Sequence, residues 1–308
     1  MIPIILDTDP GVDDTFALFY ALAAQRFDLL GLTTIFGNVQ IDTATNNALW
    51  LLDAFGRHDV PVAQGAQRPL SGRSHRASVE VHGPHGFGNW PAQTPERGAH
   101  AMDAADFMIA QSLARPGELE VVAVGPLTNL ALAAMRDPAF PTRIAKLHVM
   151  GGAFRVRGNI TPHAEANIYN DPEAAAVVAS AYPNLRFIGL DVTDKIPLPL
   201  TDCAALAGAN PAWQDFITEI SEYYTAFYAS VGKTAGASLH DPATLIAVLM
   251  PELFQFETGR VQLVVEGDAA GQTLFHAGEG GVEIAAAADY DAVRREFMAR
   301  VSGWLAQS

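Results

Sequence analysis

Five short runs in this chain are apolar at both alternating sets of positions: Ile2–Leu6, Leu29–Ile35, Leu119–Val124, Lys146–Met150 and Arg186–Leu190. A strand with one wet face alternates apolar and polar residues. A run without that alternation is covered on both faces, as parallel strands are when helices flank them. Each run precedes or follows a helical stretch. Phe16, Phe19, Tyr20 and Ala23 share one side of a helix predicted over Thr15–Gln25, and a second helix is predicted over Thr43–Phe55. The βαβα order predicts an α/β fold: an open, mostly parallel, doubly wound sheet with helices on both faces.

Two segments break the rhythm. Residues 61–100 are rich in Pro, Gly, His and Arg and lack periodicity, which predicts a long loop region beside a site. Residues 192–240 hold a helical stretch, Ala212–Ser230, but no evident strand, and predict a helical insertion or lid around 195–235. Val261–Val265, Gln272–Phe275 and Val282–Ala286 predict a few added C-terminal strands, parallel or antiparallel, before a last helix from Asp289. No repeat or linker divides the chain, so 1–308 is expected to be a single domain. Hydrophobic residues make up 49% of it, enough for a sizeable core. The 34 acids against 19 bases leave a net charge of −15, which repels phosphate backbones and anionic membranes and argues against both as partners. Cys203 is the only cysteine, so no internal disulfide exists. With no secretion leader and no apolar run of about 20 residues, a cytoplasmic protein is expected.

The densest chemistry lies in DTDPGVDD, which follows the first strand and carries Asp7, Asp9, Asp13 and Asp14. Helix capping accounts for one or two aspartates. Four on one turn repel one another and raise each other's pKa values unless a hard cation with oxygen ligands, Ca²⁺ or Mg²⁺, neutralises them. HDPA at 240–243 is an ordinary helix start, with an Asp cap and Pro at the first helical position, or supplies a further ligand in Asp241 and a general acid in His240. MGGAFRVRGNITPHAEANIYNDPEAA, 150–175, carries Asn159, His163, Glu165, Asn167, Asn170 and Asp171. Amides and a carboxylate suit recognition of several hydroxyls, as in a sugar, while Asp171–Pro172 reads as a helix cap. Asn38 follows the second strand, and His82 and His85 stand in VHGPHGFGNW. VGPLTNLA at 124–131 lacks the lysine of a phosphate-binding loop and reads as a turn exposing a backbone carbonyl. Tyr224 and Tyr228 lie one helical turn apart, as a packed stripe or as one wall of a site.

Taken together, these motifs resemble the nucleoside hydrolase family of the inosine–uridine-preferring type over nearly the whole chain. DTDPGVDD, GN after the second strand, HGxxGxG, VGPLTN, MGG, GNxTxxAExN and HDP stand in the family's order. The resemblance implies Ca²⁺-dependent hydrolysis of the N-glycosidic bond of ribonucleosides, inosine and uridine foremost, to free base and ribose in purine and pyrimidine salvage. It implies Asp9, both oxygens of Asp14, the Val124 carbonyl and Asp241 as Ca²⁺ ligands, with Asp9 also the general base. Asp13, Asn38, Asn159, Glu165, Asn167 and the Met150 region would hold the ribose hydroxyls. His240 would protonate the leaving base, His82 would lie near the base, and Asp7 would support the ligands. Tyr224 and Tyr228 match positions that approach the base in nonspecific relatives; a pyrimidine-preferring enzyme is the alternative. Ala166 stands where relatives often carry an aromatic, which implies a wider pocket. His85 and Trp90 match no role. Relatives are often homodimers or homotetramers, and one of these is expected here. A haloacid dehalogenase-type phosphatase also opens on Asp-x-Asp, but EGDAAGQT lacks the second acid of its metal motif. A non-enzymatic nucleoside- or sugar-binding protein would have no use for Asp9 and His240 together.

Overall fold

The computed structural model describes residues 1–308. Its strands, in chain order, are β1 Ile2–Thr8, β2 Phe27–Thr34, β3 Val62–Gln64, β4 Glu120–Ala123, β5 Lys146–Met150, β6 Leu185–Ile188, β7 Pro197–Leu198, β8 Ala237–Ser238, β9 Phe254–Leu263, β10 Thr273–Ala277 and β11 Val282–Ala288. Nine of them form one sheet in the order β10-β9-β11-β6-β5-β4-β1-β2-β3. All pairings from β3 through β11 are parallel; β9 is antiparallel to both β11 and β10. The C-terminal additions thus comprise one more parallel strand and an antiparallel pair at the edge.

Successive residues of the central strands enter opposite apolar layers, as the absence of polar alternation requires. Ile4, Leu6 and Val122 join one layer with helices Val12–Ala23, Ile41–Ala54, Leu200–Ala209, Gln214–Ser230, Asp241–Leu249 and Tyr290–Leu305. Ile5, Val121 and Ala123 join the other with Ala104–Ala114, Thr128–Arg136 and Pro172–Ala181. The chain moves outward from β1 to β3, then crosses back to lay β4 on β1's other side. That reversal opens a crevice beyond the carboxyl ends of β1 and β4, where ligands bind in open α/β sheets. No helix is long and apolar enough to cross a membrane.

The structure corrects several sequence-based boundaries. Residues 61–100 are not loop throughout, since they contain β3 and a short helix, Val79–His82. Three residues of strand are too few to show a period. Residues 192–240 are mainly helical, but β7 and β8 pair within them. β9 begins seven residues before the predicted Val261, in a stretch where only Phe254 and Gly259 are buried and polar Gln255, Glu257 and Thr258 hide the strand pattern. The first helix starts at Val12, not Thr15, which places Asp13 and Asp14 in its first turn. Asp241 opens its helix and is preceded by His240, so it is not the residue before the helix.

Candidate active site

Gly11 begins the first helix without a side chain to cap it, and Asp14 reaches back to accept the Gly11 N–H at 3.0 Å. Asp14 also accepts Thr8 Oγ1 at 2.5 Å, the Asp9 N–H at 3.1 Å and Asn38 Nδ2 at 2.8 Å. These four donors hold a buried carboxylate fixed. Asp9 Oδ2 accepts the Asn38 N–H at 2.6 Å, while its Oδ1 is buried with no hydrogen-bond partner. Two glycines make room for Asp9: a Cβ on Gly37 would fall 1.9 Å from Oδ2, and one on Gly125 2.7 Å from Oδ1. Asp7 faces the other layer of the fold. Its Oδ1 accepts Thr33 Oγ1 at 2.7 Å and Asn129 Nδ2 at 2.8 Å, and burial raises its pKa to about 7.

Asp13, Asp14 and Asp241 each offer an oxygen within 4.8 Å of the others. Burial, followed by the repulsion of Asp14, raises the Asp13 pKa to about 8. Asp241 is pushed well above the carboxylate range by burial and then by Asp13, Asp14 and Asp9. Buried carboxylates this close are stable as anions only beside a positive charge. The donor set is all oxygen, and unpartnered buried oxygens of Asp9 and Asp13 adjoin it. The residues therefore fit a hard divalent cation. The Val124 carbonyl, named as a ligand by resemblance, accepts Asn167 Nδ2 at 2.8 Å and keeps a second lone pair.

A cavity of about 1140 Å³ opens over this floor. Every residue assigned to the sugar or base by resemblance lines it: Asp13, Asn38, His82, Met150, Asn159, Glu165, Asn167, Tyr224 and Tyr228, as do Val124, His240 and Asp241. Asp7, Asp9 and Asp14 lie beneath the lining. Glu165 caps helix Ala166–Asn170, accepting the N–H groups of Gly152, Asn167 and Ile168 at 3.1, 2.9 and 3.1 Å. Asn159 Oδ1 accepts the Ala166 N–H at 2.9 Å. Ala166 also lines the cavity. Asp171 is the cap it was read as, accepting Ala174 N–H at 3.0 Å.

Beside the floor, 3.8 Å from Asp13 Oδ1, His82 Nδ1 accepts the Val12 N–H at 3.2 Å, which leaves the ring proton on Nε2. Burial lowers the His82 pKa to about 3. His240 is engaged at both nitrogens: Nε2 with Tyr228 Oη at 2.6 Å and Nδ1 with Thr193 Oγ1 at 2.8 Å. Burial lowers its pKa to about 4, so it rests neutral. Tyr228 Oη in turn lies 3.3 Å from Tyr224 Oη. His240 thus lines the cavity itself and is also tied to Tyr228, the two groups expected near the leaving base. Thr8, Asn129, Thr193 and the Lys233–Asp194 pair at 2.5 Å were not singled out from sequence. Thr8 alone had a local signal, between Asp7 and Asp9. Trp90 packs on Phe216 away from the cavity, and His85 contributes its carbonyl to Asn47 at 2.8 Å.

A family profile described as inosine-uridine preferring nucleoside hydrolase matches residues 4–295. Uridine nucleosidase 1 of Arabidopsis thaliana is 39% identical over 275 residues, covering 89% of this chain and 82% of the plant protein. Among solved structures, a plant nucleoside hydrolase superposes with a TM-score of 0.93 at 35% identity, covering 98% of this chain and 99% of that one. The purine-preferring ribonucleoside hydrolase from Gardnerella vaginalis gives a TM-score of 0.95 at 30% identity, covering 99% and 100%.

Proposed function

Since the chain belongs to the inosine-uridine preferring nucleoside hydrolase family, we propose that it hydrolyses the N-glycosidic bond of ribonucleosides with Ca²⁺ at the carboxylate floor, releasing base and ribose. One observation carries this reading: the acidic floor and the Tyr224–Tyr228–His240 chain line a single cavity. N-ribosidic cleavage needs both, because the sugar becomes oxocarbenium-like while the departing base gains negative charge.

Asp9, Asp14, the Val124 carbonyl and Asp241 would hold the ion, with Asp13 at the ribose. When bound, Ca²⁺ supplies Lewis acidity that eases deprotonation of water and anchors hydroxyl oxygens. Asp9, with one oxygen fixed by Asn38 and the other free, is placed to accept the proton of the attacking water. Asp13, Asn38, Asn159, Glu165 and Asn167 surround the sugar, and their oxygens favour positive charge on its ring. Tyr224 and Tyr228 stay protonated because burial raises both phenols above their ordinary pKa. A hydroxyl proton passed to the base leaves a phenolate that takes a proton back from solvent as base and ribose depart, while His240, held by Thr193, keeps the Tyr228 hydroxyl in place.

The two tyrosines favour a broad inosine and uridine substrate range; their hydroxyls meet polar atoms on either ring system, and the cavity exceeds what a pyrimidine fills. We infer a cytoplasmic enzyme, which the buried free thiol of Cys203 supports. A homodimer or homotetramer rests on the resemblance alone. A panel of ribonucleosides assayed for free base and ribose, with and without chelator, tests the function. Cleavage of inosine and uridine that chelation stops is expected; no ribose from any nucleoside with Ca²⁺ present would refute it.

A further inference from the structure

Bases are scarce in this chain, yet four of them, Arg73, Arg76, Arg157 and Lys233, line the one cavity over the carboxylate floor. Two are neutralised there, Arg76 by Glu80 and Lys233 by Asp194. The other two enter no ion pair. Arg73 donates only to the carbonyls of Tyr169 and Asn170, at 2.8 and 3.2 Å, and lies over the Tyr169 ring. Arg157 is exposed and stands two residues before Asn159. Uncompensated guanidiniums in a cavity suit a phosphate, which they grip with paired, charge-assisted hydrogen bonds.

The position of these arginines says which phosphate. Given the hydrolase reading, on which this inference rests, the sugar's vicinal hydroxyls lie on the floor at Asp13 and Asp241. The base lies under Tyr224 and Tyr228. The remaining substituent, C5′, is then left to the side formed by Arg157, Asn159 and Glu165 and by Arg73, which bonds the carbonyls of Tyr169 and Asn170 in the same segment as Glu165. The cavity's 1140 Å³ passes the roughly 300–1,000 Å³ span of small-molecule sites, so a longer substrate has room.

We propose that Arg73 and Arg157 form a subsite for a 5′-phosphate, and that the enzyme hydrolyses nucleoside 5′-monophosphates as well as nucleosides. The bond changes are those of the nucleoside reaction. Water oxygen joins C1′, the C1′–N bond breaks with its electron pair on the base, the base takes a proton, and ribose 5-phosphate leaves with its ester intact.

The test measures uracil release by the Ca²⁺-loaded protein from uridine, uridine 5′-monophosphate and uridine 3′-monophosphate. The 5′-nucleotide should be cleaved. Arg157→Gln should lower its kcat/KM about tenfold, and Arg73→Gln with Arg157→Gln further, while uridine changes less than about twofold. Added salt should slow the 5′-nucleotide alone, through screening. The single Arg157 variant removes no hydrogen bond or ion pair within the protein, and its uridine rate reports that it is folded. Uridine cleavage without 5′-nucleotide cleavage would overturn the proposal. So would equal losses on both substrates, or a 3′-nucleotide equally dependent on the arginines. If uridine itself is not cleaved, the hydrolase reading has failed instead. Calorimetric titration with uridine 5′-monophosphate then judges the subsite: binding lost in Arg157→Gln supports it, and no binding overturns it.

Discussion

Tyr228→Phe deletes one oxygen and, with it, the bonds that join His240 to the tyrosine pair. The hydroxyl makes two hydrogen bonds, 2.6 Å to His240 Nε2 and 3.3 Å to Tyr224 Oη, in a side chain only 6% exposed. Leaving His240 Nε2 buried without its partner costs about 1–3 kcal/mol of stability, which lowers Tm without unfolding the domain. The effect on rate is separable. General acid catalysis contributes about 10²–10⁴-fold, and the longer outer link favours the lower end, so kcat for uridine and inosine should fall about 10²-fold, or 2.7 kcal/mol. A 4-nitrophenyl riboside provides the control, because nitrophenolate leaves without a proton. Its kcat should change less than about threefold. Equal losses on the nucleosides and the nitrophenyl riboside would refute proton donation by this chain and assign Tyr228 a packing role.

Asp9→Ala should reduce nucleoside turnover by about 10³-fold or more, since it removes a ligand and the base together; steady-state kinetics with saturating Ca²⁺ checks this. Gly37→Ala should weaken Ca²⁺ binding in a calcium titration and slow turnover on every substrate, because its Cβ would fall 1.9 Å from Asp9 Oδ2 and must displace that carboxylate. The chelated protein should lose stability as pH rises. Asp7 and Asp13 ionise near 3.8 ordinarily but at about 7 and about 8 here, so the folded state holds protons the unfolded chain has shed. Stability from these groups is complete below 3.8 and is lost as pH climbs through 7 and 8. His82 and His240, buried neutral, act in the opposite sense only below their ordinary value of 6.5. Thermal melts from about pH 6.5 to 8.5 should therefore show Tm falling, and saturating Ca²⁺ should flatten the fall.

The sheet was legible because burial on both faces erases polar alternation from β1, β2 and β4 to β6. β3 was not, because Val62–Gln64 is too short to carry a pattern, and β9 was cut short because its first residues, Gln255, Glu257 and Thr258 among them, are polar and not fully buried. The acidic floor was legible for a local reason: four carboxylates in eight residues present an electrostatic problem visible without a fold. The tyrosine–histidine chain has no such local trace. Thr193, Tyr228 and His240 come from three separate elements, and only their packing shows that both imidazole nitrogens are engaged. Trp90, which matched no role, packs against Phe216.

The floor is joined from opposite ends of the chain: Asp9 and Asp14 lie beside β1, and Asp241 arrives on a helix packed against Val12–Ala23. During synthesis the ribosome exposes the acidic turn at once, but its last carboxylate only after most of the protein has been made. A nascent or truncated chain ending before residue 241 carries mutually repelling acids and no complete cage for an ion. A complete set of carboxylates for a cation therefore exists only once the helix that begins at Asp241 has packed on Val12–Ala23.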